Sequence, residues 1–381
     1  MKQEFKTNEL RQTAESIRDA VLAKSITPDM VGGTMLALVN ASGEVIEALG
    51  NLESERVTVK VQAYNGLERV SVAGAKVYLD QFAINSAPMV SVPRQEFEVD
   101  ENGEVTFEVL KGYRYAVFSK LEGMGASFQF VYDACQTERR IDLWNFSIGV
   151  YAVGYAAYYR EGEDGDDGSC RCVPVITQTY LSDCYDRPEF GWDMQGDEVL
   201  EDCYYMGVLV STAESSFAIA EYSRSEDYVK WSERSDYGRL IPTMPAIDPW
   251  VGEYDAKMEL ARADMDGNLN SAKILSFCHS PLAVKWAAEI NEWTYGQHFL
   301  PSAGQLYLIY LNKQAINAIM TAMIDGEDRG FQLIDNDWYL SSTQANEWCA
   351  WLVSMYSGST SNGNRDYNYC VRAVSAFHFI Y

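Results

Sequence analysis

Apolar residues along this chain change their period three times, and each change marks a boundary between elements. In the first 50 residues Leu10, Ala14, Ile17 and Val21 share one helical face. Met35, Leu38, Ser42, Val45 and Leu49 then follow a heptad-like spacing, which predicts two helices separated by Thr27-Pro28 and Gly32-Gly33. Helices this short are marginal alone, so the apolar face needs a partner, either another copy or the rest of the chain. From Arg56 the period drops to two. Val57, Val59 and Val61 alternate, then Ala75, Val77 and Leu79, then Val105, Phe107 and Val109, then Tyr113, Tyr115 and Val117. Turns at Asn102-Gly103 and Lys111-Gly112 divide them, which is the rhythm of a small antiparallel β-sandwich closing near Tyr158.

Glu161 to Gly168 (EGEDGDDG) is a solvated acidic linker and the clearest boundary. Beyond it the segment GVLVSTAESSFAIAEY reads as an apolar strand, followed by a turn-rich stretch to Asp255. A helix is predicted over Ala256 to Ala263, closed by the turn Asp264-Met265-Asp266-Gly267. Helical faces follow at Ala272, Ile274, Leu275 and Phe277, then at Leu282, Val284, Trp286, Ala287 and Ile290, with a further helix from Gln305 to Met323. After Phe331 strands and loops return. Three parts result: a helical segment over 1–52 that needs a partner for its apolar face, a β-sandwich over 55–160, and an α+β domain over 170–381.

Composition narrows the function classes. A formal charge of −25 over 381 residues repels phosphate backbones and anionic head groups. Nucleic acid and membrane surfaces are therefore poor partners. No apolar run approaches the ~20 residues a membrane helix needs, and the opening MKQEFKTNELRQTAES has no signal-peptide core. The eight cysteines are scattered, which reads as buried thiols rather than a disulfide scaffold. The acidic run offers no EF-hand frame for calcium, and Cys170-Arg171-Cys172 beside Cys184 is too tightly spaced for zinc. With three histidines and no HExxH, CxxC or GxSxG, the sequence predicts no enzyme, no metal and no cofactor.

The order GVLVSTAESSFAIA, DMDGNLNSAKI, HFLPSAGQLYLIYLN, WYLSST, AWLVSMYSG and VRAVSAF resembles the C-type-lectin-fold variable proteins of diversity-generating retroelements in gut Bacteroidetes and their phages. The likeness covers roughly Gly207 to Tyr381. VAGAKVYL and DENGEVTFEVLKGYRYAV look like prealbumin-like or immunoglobulin-like spacer modules, and MVGGTMLALVNASGEVIEALG looks like the attachment segment of a phage tail fibre. The resemblance implies an α+β chain ending in a C-type lectin fold, with a variable segment over about 338–370 and homotrimeric assembly. It further implies display on a virion and a host cell-surface protein or glycan as partner. A bacterial cell-surface adhesin of fixed specificity is the alternative. A formylglycine-generating-type enzyme, suggested by Cys349 and Cys370, is a more distant one.

In such proteins adenine-directed copying errors change Asn codons to Ser, Tyr, Asp, Gly, Cys or Thr, the mixture found here between Thr343 and Val371. Alternation predicts Trp351, Val353 and Met355 inward, with Leu352, Ser354 and Tyr356 facing solvent. Tyr339, Trp348, Tyr356, Tyr367 and Tyr369 are the candidate anchors, because aromatic rings give rigid contact area at low entropy cost. Around them Gln344, Ala345, Asn346, Ser359, Ser361, Asn362, Asn364, Asp366 and Asn368 are candidate adaptable contacts. Glu347 and Trp348 cannot arise from an Asn codon by adenine change alone. The plain alternative is a Tyr- and Asn-rich loop that only caps a sheet.

Overall fold

The computed structural model describes residues 54–65, 68–83, 91–159, 170–177, 203–220, 225–289, 296–324 and 333–377. The predicted N-terminal helices, the acidic run and Cys184 lie outside them. The chain divides into Met1–Glu55 and Arg56–Tyr381, and the account below concerns the second unit with the start of its first strand.

The sandwich forms where the period-two pattern predicts it. One sheet holds β1 (Ser54–Asn65), β2 (Glu68–Arg69), β5 (Glu104–Leu110) and β8 (Glu138–Phe146). The other runs β4 (Ser91–Glu98), β3 (Lys76–Ala83), β6 (Tyr113–Lys120), β7 (Phe130–Asp133). Val57, Val59, Val61, Val77, Val109 and Val117 are fully buried between them, as alternation requires. One pairing departs from the antiparallel expectation. β1 runs parallel to β8 in continuous register from Arg56↔Glu138 to Tyr64↔Phe146, because the chain crosses the second sheet before returning.

The next strand, β9 (Gly149–Tyr159), leaves the sandwich. It pairs with β10 (Cys170–Thr177) and β11 (Cys203–Ser211) in a six-stranded sheet completed by β12 (Ser216–Ala220), β19 (Val374–Phe377) and β14 (Gly296–Phe299). The sequence boundary near residue 160 thus falls between two strands of one sheet. Within GVLVSTAESSFAIAEY, Gly207–Ala220 is a hairpin rather than one strand, turning where the Thr212 hydroxyl donates to the Ser215 carbonyl at 2.7 Å. A five-stranded sheet follows, in the order β13 (Ser225–Lys230), β18 (Asn368–Arg372), β15 (Trp338–Gln344), β16 (Cys349–Ser354), β17 (Thr360–Asn364). The helices are α1 (Tyr254–Arg262), α2 (Gly267–Phe277), α3 (Leu282–Glu289) and α4 (Ala303–Ile324).

Strand makes up 44% and helix 22% of the structure, in four sheets with four α-helices among the described residues. The chain is therefore mostly β, which corrects the α+β expectation and the C-type-lectin fold attached to it. The physical reason lies in the strands after residue 200. They are short and several are buried on both faces, so most of them leave little period-two signal beside the strongly periodic helices.

Two features hold the unit together. One apolar cluster runs from Val57 through Phe128 to Phe377, with the Phe128 and Phe377 rings edge to face at 6.1 Å. Across the same junction Asn268 donates to the Gln129 carbonyl at 2.7 Å and Arg94 bridges Asp80 and Asp266 at 2.8 Å each. The second feature is a polar junction where three sequence motifs meet. The Asp264 carboxylate accepts from the Asn270 amide at 2.9 Å and from the Thr343 hydroxyl at 2.7 Å. Burial and the neighbouring Asp266 raise its pKa. Ser302 donates to the Asp264 carbonyl at 2.6 Å and closes a capping box with Gln305 at the start of α4. DMDG, LPSAGQ and SST are thus one structural knot.

Candidate functional site

The candidate segment occupies β15 to β18, and both faces of that sheet are covered. On one face Tyr339, Trp351, Val353 and Met355 join the main core beside α4 residues Leu306 and Ile309, with the Trp351 indole donating to the Ile247 carbonyl at 2.9 Å. On the other, Leu340, Ala350, Leu352 and Val371 pack on Trp231, Ile241 and the α3 residues Ala283, Val284 and Ala287. Leu352 and Ser354, expected to face solvent, are each 4% exposed. Alternation separates the two faces correctly but cannot reveal that α3 and the loop after β13 roof the second one.

Several other candidates are also scaffold. Tyr339, Gln344, Ala345 and Asn346 are buried. The Gln344 side-chain oxygen accepts from the Ile241 N–H at 2.6 Å, and the Asn346 side-chain oxygen accepts from the N–H groups of Trp348 and Cys349 at 2.9 Å each. Asn346 thus shapes the β15–β16 turn by satisfying backbone donors that would otherwise lack partners.

The exposed candidates fall into two groups at opposite ends of β16. At one end are Trp348, Tyr367 and Asn368. Trp348 packs edge to face on Tyr237 at 4.6 Å and lies over Gly238, whose φ of +80° suits glycine and where a Cβ would come within 2.9 Å of the ring. At the other end are Tyr356 and Ser359. Their turn is set by the Ser354 hydroxyl, which accepts from the Tyr356 N–H at 3.3 Å, and by Gly358 at φ +70°, packed too closely on Tyr310 for a side chain. A six-residue strand spans roughly 20 Å, so the two groups form separate surfaces. Half-buried Ser361, Asn362 and Asn364 lie between them on edge strand β17, Asp366 sits in the turn before β18, and Tyr369 follows in β18.

One buried residue organises the Trp348 end. Arg365 is wholly enclosed and donates to the Arg239 carbonyl at 3.0 Å, the Gln344 side chain at 2.9 Å and the Asn346 carbonyl at 2.5 Å. Its guanidinium lies 4.3 Å above the Trp231 ring. A single planar fork thereby ties the 238–240 loop, the β15–β16 turn and the β17–β18 turn together. Burial pushes its pKa down to about 10, which leaves it charged at neutral pH. Burial raises the Cys349 thiol and pushes Cys278 up to about 12. Neither thiol is poised as a thiolate.

The turn-rich stretch before α1 holds surface residues that the sequence reading passed over. Trp250 is 72% exposed and Val251 61% exposed. Tyr254 lies beside Ser361 of the edge strand, with 3.3 Å between their hydroxyls. The available signal was an aromatic residue between Pro249 and Gly252, in a segment with no apolar period to bury it.

No protein-family model and no curated protein matches this chain. Among solved structures, a fimbrial protein from Bacteroides ovatus is similar at 14% identity and a TM-score of 0.35, over 86% of this chain and 71% of that one. The pilus-presented adhesin Spy0125 (Cpa) aligns at 10% identity and a TM-score of 0.19, over 25% of this chain and 28% of its own length. The shaft pilin SpaA of Lactobacillus rhamnosus aligns at 9% identity and a TM-score of 0.19, over 32% of this chain and 77% of that one. These likenesses do not establish a shared fold.

Proposed function

We propose that this chain is an adhesin-type binding protein that recognises a cell-surface molecule through the turns at the Trp348 end of the five-stranded sheet. The observation carrying this reading is the pairing of exposed Trp348 (44%) and Tyr367 (61%) with the buried Arg365 clamp that fixes both turns. Aromatic side chains held rigidly on turns, flanked by Asn and Asp, bind with little ordering cost. The sandwich serves as a spacer under this reading. Beads coated with the protein are offered to a panel of bacterial and epithelial cells, and adhesion is counted by flow cytometry. Replacing Trp348 and Tyr367 together by Ala abolishes adhesion if the reading is correct, while unchanged adhesion overturns it.

A second reading, a variable protein of a diversity-generating retroelement displayed on a phage tail fibre, is supported by one observation. The exposed and half-exposed positions from Tyr356 to Tyr369 are mainly Tyr, Ser, Asn and Asp, interleaved with buried Gly358, Thr360, Gly363 and Arg365. Deep sequencing of the gene across a carrying population tests it. Substitutions confined to adenine-derived codons at the exposed positions support it, and an invariant segment overturns it in favour of fixed specificity.

A further inference from the structure

We infer that a groove between α3 and the β13–β18 edge binds a neutral saccharide. The inference rests on the adhesin reading and names a ligand class for one flank of the same surface. The groove is shallow and open to solvent, with about 450 Å³ of space, enough for one or two sugar rings resting on its floor. Its floor is apolar: Leu282 and Trp286, one helical turn apart on α3, face Val229 of β13.

The rim decides the ligand class. Lys230 stands 3.9 Å from Glu233, and Lys285 stands 3.8 Å from Glu289. Two cations balanced by two anions give the groove no net charge, so neither an anionic nor a cationic ligand gains from entering. The same four side chains and the Asn368 amide present donors and acceptors around an aromatic wall. That arrangement suits a ring with one apolar face and hydroxyls at its perimeter. Asn368 pairs in register with Lys230 and directly follows exposed Tyr367, so the groove opens beside the Trp348 end.

The test uses the full chain carrying fluorotryptophan, followed by fluorine NMR, with the Trp286 resonance assigned through Trp286→Phe. Lactose, mannobiose and N-acetylchitobiose are the neutral probes and sialyllactose the charged one, each titrated to ~10 mM, where weak single-site binding is visible. The expected result is a saturable shift of the Trp286 resonance with at least one neutral disaccharide. Asn368→Ala, at an exposed position, weakens that binding by up to about tenfold through loss of one hydrogen bond. The inference is overturned if no neutral disaccharide moves the Trp286 resonance, or if sialyllactose binds more tightly than its neutral parent. It is also overturned if binding moves other tryptophans and ignores Asn368→Ala. In each of these cases, cell adhesion that still depends on Trp348 and Tyr367 leaves the adhesin reading standing.

Discussion

Replacing Leu352 by Asn separates the two-sided burial of the five-stranded sheet from the solvent-facing role that alternation assigns to this position. Leu352 is 4% exposed, packed in the cluster that holds Leu340, Trp231 and Ile241, and opposite Ser361 on the edge strand. Its Cδ1 lies 2.5 Å from where a Cβ on Gly363 would sit, so the site has no slack. Removing the leucine forfeits about 2 kcal/mol of burial, and enclosing an amide with no partner costs a further ~1–3 kcal/mol. The sum, about 3–5 kcal/mol, is a large part of a typical total of ~5–15 kcal/mol. With a urea slope of roughly 3 kcal/mol/M for a unit this size, the midpoint falls by about 1 M or more. Tyr356→Asn, at 77% exposure, changes stability by no more than ~0.5 kcal/mol. Urea unfolding followed by tryptophan fluorescence and circular dichroism measures both, with Leu352→Met as the volume-conserving control. Equal midpoints for Leu352→Asn and the wild type would refute the reasoning.

Three further outcomes are expected. Arg365→Met removes the donors from the Arg239 and Asn346 carbonyls and the Gln344 side chain, lowering stability by about 2–4 kcal/mol and quickening amide hydrogen exchange in both turns. Tyr367→Ala, at 61% exposure, shifts stability by less than ~1 kcal/mol while weakening adhesion, whereas Trp348→Ala, whose ring packs on Tyr237 and Gly238, costs roughly 1–3 kcal/mol and weakens adhesion as well. His298 in β14 has its pKa pushed from 6.5 to about 4 by burial, so between those pH values the unfolded chain takes up a proton that the folded chain refuses. Its contribution is complete above about pH 6.5 and is lost as pH falls towards 4, by at most roughly 3.5 kcal/mol at about 1.4 kcal/mol per unit. His298→Asn removes that part of the acid sensitivity, as read from urea midpoints at about pH 7 and about pH 4.5.

Much of the fold was legible where one physical signal dominated. The valines of β1, β3, β5 and β6 alternate because one face of each sheet is dry, and all but the half-buried Val105 at the start of β5 are buried as that pattern demands. The helix expected over Ala256–Ala263 is observed at Tyr254–Arg262, and that expected from Gln305 to Met323 at Ala303–Ile324. The capping box of Ser302 and Gln305 accounts for the earlier start of the second. What was not legible depended on long-range partners. The polar STAES stretch is only a weak local mark of the Thr212–Ser215 turn, and nothing local places β9 with β11 rather than with β8. The candidate surface failed in the same way. Leu352 and Ser354 alternate as surface residues should, and only the roof of α3 and Trp231 buries them. Arg365 reads as a solvated cation until the 238–240 loop and the β15–β16 turn, both distant from it in sequence, close around it.

The parallel ladder between β1 and β8 bears on how this unit answers a mechanical load. The chain reaches β1 at its Arg56 end and leaves β8 at its Phe146 end on the way to the candidate surface. A pull applied between the Arg56 end of β1 and the Phe146 end of β8 therefore draws the two strands past each other along their length. All nine register pairs from Arg56↔Glu138 to Tyr64↔Phe146 carry the strain together instead of opening one after another. A ladder loaded in this way resists rupture by sharing the force among its pairs.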